Sequence, residues 1–245
     1  MSFYALTLFC ATAFVLAAAD EDFDFPVTTC KHDADDYAGC MKNSMQDVWK
    51  NFIPGIPKFD VPPLDPYFIE QERALYEGND MHADITITNT KVYGLANIRF
   101  LAVRPQYSDT YFRVDVDVDV PKVFIEGNYK AEGAFGLLQI HGDGYFNITA
   151  EDITATMITE GPVANDRWTI EHFHIDPEIG KLNVYFSDMF NGNAELNSAA
   201  MKFVNEYWPS MYHSVLPFLE KHWDEKVTEL MNRVTSKVSF SKMFP

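Results

Sequence analysis

The stretch Phe203-Val204-Asn205-Glu206-Tyr207-Trp208-Pro209-Ser210-Met211-Tyr212-His213-Ser214-Val215-Leu216-Pro217-Phe218-Leu219 decides how this chain folds. It sits inside a longer run, Ala194 to Val238, in which Leu196, Ala200, Phe203, Val204, Tyr207, Met211, Val215, Leu219, Val227, Leu230, Met231 and Val234 recur at intervals of mostly three and four. That is the period of an amphipathic helix. Trp208, Tyr212, Leu216, Phe218 and Trp223 fill the flanks of the stripe, so more than half of the circumference needs cover. A helix of ~40 residues is roughly 60 Å long, whereas a sphere of this chain length is only about 45 Å across. The expected molecule is therefore elongated along this helix. Pro209 and Pro217 each remove an amide donor and crowd the preceding turn, which predicts kinks near both.

The cover comes from the middle of the chain. From Ala83 to Phe186 the pattern changes to a period of two, the mark of strands. In Arg113-Val114-Asp115-Val116-Asp117-Val118-Asp119-Val120, four valines face one way and Arg and three Asp the other. Ile85 and Ile87 alternate with polar neighbours. Tyr129, Ala131, Phe135 and Leu137 share a face opposite Lys130 and Glu132, and Leu182, Val184 and Phe186 alternate in the same way. Each strand has one apolar and one polar face, as in an antiparallel sheet with one wet side. Gly94, Pro105, Gly127, Gly142, Gly144, Gly161-Pro162 and Gly180 read as turns between the runs. Gly133 and Gly136 within a strand would allow a sharp bend. A helix without cover and a sheet with an apolar face complete each other when the sheet curls round the helix, which makes the fold class α+β.

Before the strands, Ile53-Pro54-Gly55-Ile56-Pro57 and Val61-Pro62-Pro63-Leu64-Asp65-Pro66 form a stiff extended segment that neither helix nor central strand can hold. Its apolar residues suit packing against the body better than a flexible linker does. A short helix is expected between Asp33 and Lys50, with Tyr37, Cys40, Met41, Met45, Val48 and Trp49 at helical spacing.

The chain starts with an uncharged apolar stretch to Ala19 that ends in Ala17-Ala18-Ala19, the pattern of a secretory signal over residues 1–19. A retained membrane anchor needs about 20 apolar residues, more than this run supplies. Residues 20–245 then form one domain, secreted and extracellular. In an oxidising compartment Cys30 and Cys40 read as a disulfide, worth about 2–3 kcal/mol through restriction of the unfolded chain. Asn147-Ile148-Thr149 is a candidate glycosylation site. A net charge of −17 disfavours nucleic acid and anionic membranes as partners and leaves neutral or apolar ones. Neither stable membrane insertion nor oligomerisation is expected.

Asp115, Asp117 and Asp119 suggest calcium, yet along a strand they stand about 7 Å apart in a row and do not converge. A solvated outer face fits them better. His172 and His174 on one strand offer two zinc ligands without a third. The chain contains no Gly-x-Ser-x-Gly elbow, His-Glu-x-x-His pair, phosphate-cradling glycine loop or Cys-x-x-Cys. No enzyme, metal or cofactor is argued for. The 20 Phe, 12 Tyr, 10 Met and 4 Trp are chiefly core. A sheet curled about a helix can also leave an elongated apolar cavity, and Met157, Met201 and Met211 suit a wall that accepts varied ligands.

Several of these segments resemble the insect takeout and juvenile-hormone-binding proteins over nearly the whole chain after residue 19. They are the Cys30–Cys40 pair, Gly55-Ile56-Pro57, Val61-Pro62-Pro63-Leu64-Asp65-Pro66, Tyr93-Gly94-Leu95, Gly127-Asn128-Tyr129, Ile140-His141-Gly142-Asp143-Gly144, Met189-Phe190-Asn191-Gly192-Asn193 and Phe203-Val204-Asn205-Glu206-Tyr207-Trp208. The resemblance implies a long helix wrapped by a curved antiparallel sheet, a tunnel for one elongated apolar ligand, and a secreted carrier without catalytic residues. True juvenile-hormone carriers have a second disulfide, which this chain lacks, so it is more similar to takeout. Its middle segment Lys58-Phe59-Asp60-Val61 also departs from the family's usual Leu-Gly-Ile before the paired prolines.

The expected function is a monomeric carrier of a hydrophobic small molecule such as a lipid, terpenoid or hormone. Its wall is expected from Val114, Val116, Val118, Tyr129, Phe135 and Leu137 of the sheet and Phe203, Tyr207 and Met211 of the helix. Tyr129 and Tyr207 are candidates to hydrogen-bond a polar end. The alternatives are a signalling or interaction protein with a packed core that acts through its acidic surface and, more remotely, a lipid esterase.

Overall fold

The computed structural model describes residues 29–31, 33, 35–78, 81–135 and 138–245, and the side chains of Met81, Phe135 and Leu138 fall outside that description. The secretory signal expected over 1–19 lies outside the described residues. The short helix α1 spans Tyr37–Phe52, and the Asp36 carboxylate caps it by accepting from the Gly39 amide. A disulfide joins Cys40 in its first turn to Cys30, with Cα atoms 5.8 Å apart. Seven antiparallel strands follow: β1 Tyr67–Glu77, β2 Met81–Tyr93, β3 Arg99–Tyr107, β4 Tyr111–Phe135, β5 Leu138–Ala164, β6 Arg167–Trp168 and β7 His172–Phe186. The helix α2, Ala194–Thr235, and a terminal turn of helix, α3 Phe240–Met243, complete the chain.

The sheet order is β1-β2-β4-β5-β7, with β3 continuing the line of β2 along the other half of β4 and the short β6 closing on the end of β5. It is a curled half-barrel, and β4 and β5 are its long staves at 25 and 27 residues. Strands this long overturn the reading of several glycines as turns. Gly127 lies inside β4, Gly142, Gly144 and Gly161-Pro162 inside β5, Gly180 inside β7, and Pro105 inside β3. Close approach explains the choice of glycine at Gly142, where a Cβ would stand 2.5 Å from the Tyr129 hydroxyl oxygen. Pro105 is tolerated because β3 has a ladder partner only in β4.

The curl has a local cause. In β4 the inward residues are Val114, Val116, Val118 and Val120, then Tyr129 and Ala131; in β5 they are Ala155 and Thr159 on one side, Ala150 and Phe146 on the other; in β7 they are Phe173, then Val184. Each strand therefore exchanges its inner and outer face midway, although the register between strands never slips. The exchange falls near one transverse row, Pro121, Asp152 and Gly180, where Asp152 has φ 55°. A Cβ on Gly180 would meet the Asp152 Cβ at 2.8 Å. In β2 the same exchange is made by a bulge between Thr88 and Lys91, with Asn89 at φ 50°. Opposite it, β1 turns Tyr67 and Ile69 inward, then Glu72, Ala74 and Tyr76. This break in alternation is why the period of two becomes visible only from Ala83, one strand too late.

Two packed ends result. At one, Val114, Val116 and Val118 meet Met41, Ile98, Val103, Phe112, Trp168 and Ile170. Beside them the proline-rich segment inserts Phe59, Val61 and Leu64 against Val234 and Val238, so it does lie on the body. At the other end Tyr129, Ala131 and Phe146 form a smaller cluster with Ile85, Ile87, Ile125, Ile148 and Phe186. We expect Gly142→Ala to destabilise the fold by about 1–3 kcal/mol, because Tyr129 is wedged edge-on against Phe186 at 5.0 Å and has no room to yield. Urea denaturation of the variant measures this, and an unchanged midpoint would mean the ring moves freely.

Candidate functional site

The long helix forms as its apolar periodicity requires, with Asn193 capping the Leu196 amide. Its backbone departs from helical geometry at Tyr207 (φ −107°, ψ 15°), two residues before Pro209. The second kink expected at Pro217 is absent. Pro217 and His213, whose carbonyl loses its partner there, both face solvent, so the orphaned group is open to water and the helix continues.

An open sheet leaves unpaired edges, and α2 lies along two of them, β7 and β1. It runs antiparallel to β7 and meets the strand's free amides and carbonyls with side chains. Asn205 exchanges two hydrogen bonds of 2.8 Å with the Val184 amide and carbonyl, and Asn232 does the same with Ile170, just before β7. Between them the Asp224 carboxylate accepts from the Phe173 amide at 2.7 Å, and the Tyr212 hydroxyl donates to the Pro177 carbonyl. Near the helix start, Asn197 donates to the Phe186 carbonyl, and the Met201 sulfur accepts from the Phe186 amide at 3.2 Å. Burial by itself would raise the Asp224 carboxyl, but the Phe173 amide, His172 and Thr228 together hold it below its ordinary value.

The other flank of α2 meets β1 more loosely. Glu72 pairs with Lys226 at 3.1 Å and lies 3.9 Å from His222. Tyr76 packs edge-on against Phe218, with ring centres 5.8 Å apart, and donates to the Ser214 carbonyl. The helix is thus the last stave, between β1 and β7. With those two flanks assigned and Ser210, His213, Pro217 and Lys221 exposed, the remaining side of the helix, Trp208, Met211, Val215 and Leu219, faces the sheet. These four apolar side chains are only partly buried and belong to neither packed end. On the inner sheet face Ile179 is also only partly buried and joins neither packed end, while Met157 and Ile175 border the first end and Ile125 and Ile148 the second, all of them partly buried. The side chains of this inward surface are thus apolar and only partly buried.

The expected wall residues divide accordingly. Val114, Val116 and Val118 are inward but sealed within the packed end. Tyr129 is inward and 3 % exposed. Its hydroxyl donates to the Ser187 carbonyl at 2.7 Å, so its proton already has an acceptor. Burial pushes its ionisation up to about 12, and the phenol is neutral at physiological pH. Met211 lies on the inward stripe. Phe203 and Tyr207 pack against one another with tilted rings 4.9 Å apart and remain 46 % and 50 % exposed, away from the sheet valines. Leu137 and the side chain of Phe135 lie outside the described residues.

The outer face explains the acidic row. Arg99 pairs with Asp119, Arg104 with Asp117 through two bonds, and Arg113 with Asp115 and Glu160. His172 contacts Asp224 at 3.3 Å, and among the described residues no three metal-ligating side chains converge. Likewise, no described helix is long and apolar enough to cross a membrane. The functional residues that sequence reasoning missed are Asn197, Asn205, Asp224 and Asn232. Their signal was available: Asn is a poor helix former, and three of them in one long helix require a reason.

A curled antiparallel half-barrel closed by one long helix defines the class of protein. The chain matches the family described as Haemolymph juvenile hormone binding protein over residues 5–245, and it belongs to that family. It is similar to the circadian clock-controlled protein daywake of Drosophila melanogaster, with 23 % identity over 92 % of this chain and 90 % of that one. The Drosophila yakuba daywake is 20 % identical over the same shares. Takeout 1 of Epiphyas postvittana superposes with a TM-score of 0.74 at 19 % identity, over 89 % of this chain and 99 % of that structure, and so shares the fold.

Removing the strand clasps tests the role of α2. Asn205→Ala and Asn232→Ala should each cost about 1–3 kcal/mol in urea denaturation, since each leaves a strand amide and carbonyl without a partner; losses within error would show that water replaces the clasp. Asp224 adds a pH dependence. Its stabilisation is complete above its ordinary value of 3.8 and is lost as pH falls through the lower value of the folded state. Wild type should therefore lose more stability than Asp224→Asn below that pH, and parallel acid titrations of the two proteins would refute the linkage.

Proposed function

We propose that this protein is an extracellular carrier that holds one elongated hydrophobic small molecule between α2 and the inner face of the sheet. The observation that carries the reading is the inward stripe Trp208, Met211, Val215 and Leu219, which faces an apolar sheet surface yet is incompletely buried. Apolar side chains turned inward and left partly uncovered gain about 25 cal/mol for each Å² removed from water when a ligand fills the space. The packed ends bound the length of the guest, and the adaptable Met157 and Met211 would accept variation in its shape. Membership of a family named for hormone binding agrees with a binding role and not with catalysis. The chemical identity of the guest, as lipid, terpenoid or hormone, would be set by the few polar groups near the lumen.

The experiment is uptake of a fluorescent fatty acid by the purified protein, coupled to mass spectrometry of an organic extract from protein isolated from its native fluid. One apolar compound per chain is expected, displaced by the probe. Met211→Trp with Val215→Trp should fill the space and weaken uptake about tenfold or more, equivalent to about 1.4 kcal/mol, with the thermal midpoint retained. A folded double variant that binds as well as wild type would refute the location. A wild-type protein that is empty and takes up no probe would refute the function.

A further inference from the structure

Asn147-Ile148-Thr149 is the only Asn-x-Ser/Thr triplet in the chain, and the structure places it unusually for such a triplet, in the middle of the sheet and not on a loop. Phe146 and Ala150 point inward, so Tyr145, Asn147 and Thr149 share the outer face of β5. Directly across from Asn147 stand Glu126 on β4 and Tyr185 on β7. Tyr145 and Tyr185 are 37 % and 44 % exposed, on the solvent side of a strongly acidic protein. The Tyr145 ring is held in place, because its hydroxyl donates to one oxygen of Glu126 at 2.9 Å while Tyr93 donates to the other at 3.2 Å.

Directly opposed residues in an antiparallel pair have Cβ atoms about 5 Å apart, and next-but-one residues on a strand are about 7 Å apart. The Asn147 amide nitrogen therefore emerges between two tyrosine rings. Aromatic faces are negative and attract the polarised C–H groups on the apolar face of a pyranose. We propose that Asn147 carries an N-linked glycan whose first N-acetylglucosamine packs on Tyr145 and Tyr185, making this outer face a sugar-covered platform. In the modification, a bond forms between Asn147 Nδ2 and C1 of the sugar. The bond from that carbon to the pyrophosphate of a lipid-linked oligosaccharide donor breaks, the lipid pyrophosphate leaves, and one amide proton passes to solvent. The remaining N–H of Asn147 stays beside the Tyr145 hydroxyl, with which the side chain already interacts. The wall is one strand thick here, so the glycan sits outside and the inward Phe146 and Ile148 are untouched.

The inference rests on the export proposed above, and one experiment separates the two. The full chain is expressed in insect cells, recovered from the medium and digested, and the peptide containing residue 147 is read by tandem mass spectrometry before and after peptide N-glycosidase. The expected result is a glycan at Asn147, absent from Thr149→Ala, and conversion of the site to Asp on enzymatic release. Release from the folded protein should lower the thermal midpoint by about 2–4 °C, and by clearly less in the Tyr145→Leu/Tyr185→Leu variant, which keeps apolar bulk without the rings. Secreted protein with an unmodified Asn147 overturns the site and leaves export standing; protein retained in the cytosol overturns export and the site with it. Equal loss of stability with and without the rings overturns the tyrosine platform.

Discussion

An open β-sheet has two edges of unpaired amides and carbonyls, and everything in this structure follows from how those edges are met. Closing the sheet on itself would remove its edges, and leaving the edges bare would invite pairing with other chains. Here a helix stands in the gap. Its backbone is saturated by its own hydrogen bonds, so it cannot extend the ladder, and side chains must make the bonds that a strand would have made. Asn205 and Asn232 each present an amide that matches one peptide unit of β7, a donor for its carbonyl and an acceptor for its N–H. Each such bond adds about 0.5–1.5 kcal/mol net, and each prevents a larger loss from a strand group left without a partner.

The two seams of the helix differ in kind. Along β7 the bonds are short and reach backbone atoms, which fixes the height and rotation of α2 against the strand. Along β1 the contacts are an ion pair of Glu72 and Lys226, the ring contact of Tyr76 and Phe218 and one hydrogen bond from the Tyr76 hydroxyl to the Ser214 carbonyl, each made by a β1 side chain. Exposed ion pairs of this sort contribute about 0–1 kcal/mol, so the helix belongs mechanically to β7, and the β1 seam is the weaker wall of the interior. The departure from helical geometry at Tyr207 falls two residues after the Asn205 clasp, which stays intact.

The curl is produced by faults placed in register. At Pro121, Asp152 and Gly180 three neighbouring strands exchange faces together, and the bulge at Asn89 does the same for the edge pair. Across β4, β5 and β7 the exchange is shared and the register is kept, whereas between β2 and β4 the bulge shifts it by one residue, and the apolar faces of the two halves of the sheet turn toward the helix from different directions. Packed clusters then form at both ends, where α1, the proline segment and the aromatic group around Tyr129 supply bulk, and the apolar side chains between them are only partly buried. On the outer face, the arginines of β3 and β4 neutralise the aspartates that alternate with the valines, so an acidic row coexists with a stable strand.

The α+β class, the long helix, the alternating valines of β4, the disulfide pair and the docking of the proline segment were legible from residue types and spacing, because periodicity reports which side of an element avoids water. Periodicity does not report where an element bends when the bend preserves register. Gly127, Gly142 and Gly180 therefore read as turns though they sit inside strands, and β1 was hidden by its own change of face. Nor does it say which neighbour a side chain meets. Phe203 and Tyr207 look like core by spacing and stand in solvent, while Asn205, Asp224 and Asn232 look like solvated surface and hold the edge of the sheet. The sequence by itself determined the elements and their apolar sides; only the tertiary structure decided which strand edges needed partners, because an unpaired amide exists only once the sheet has ended.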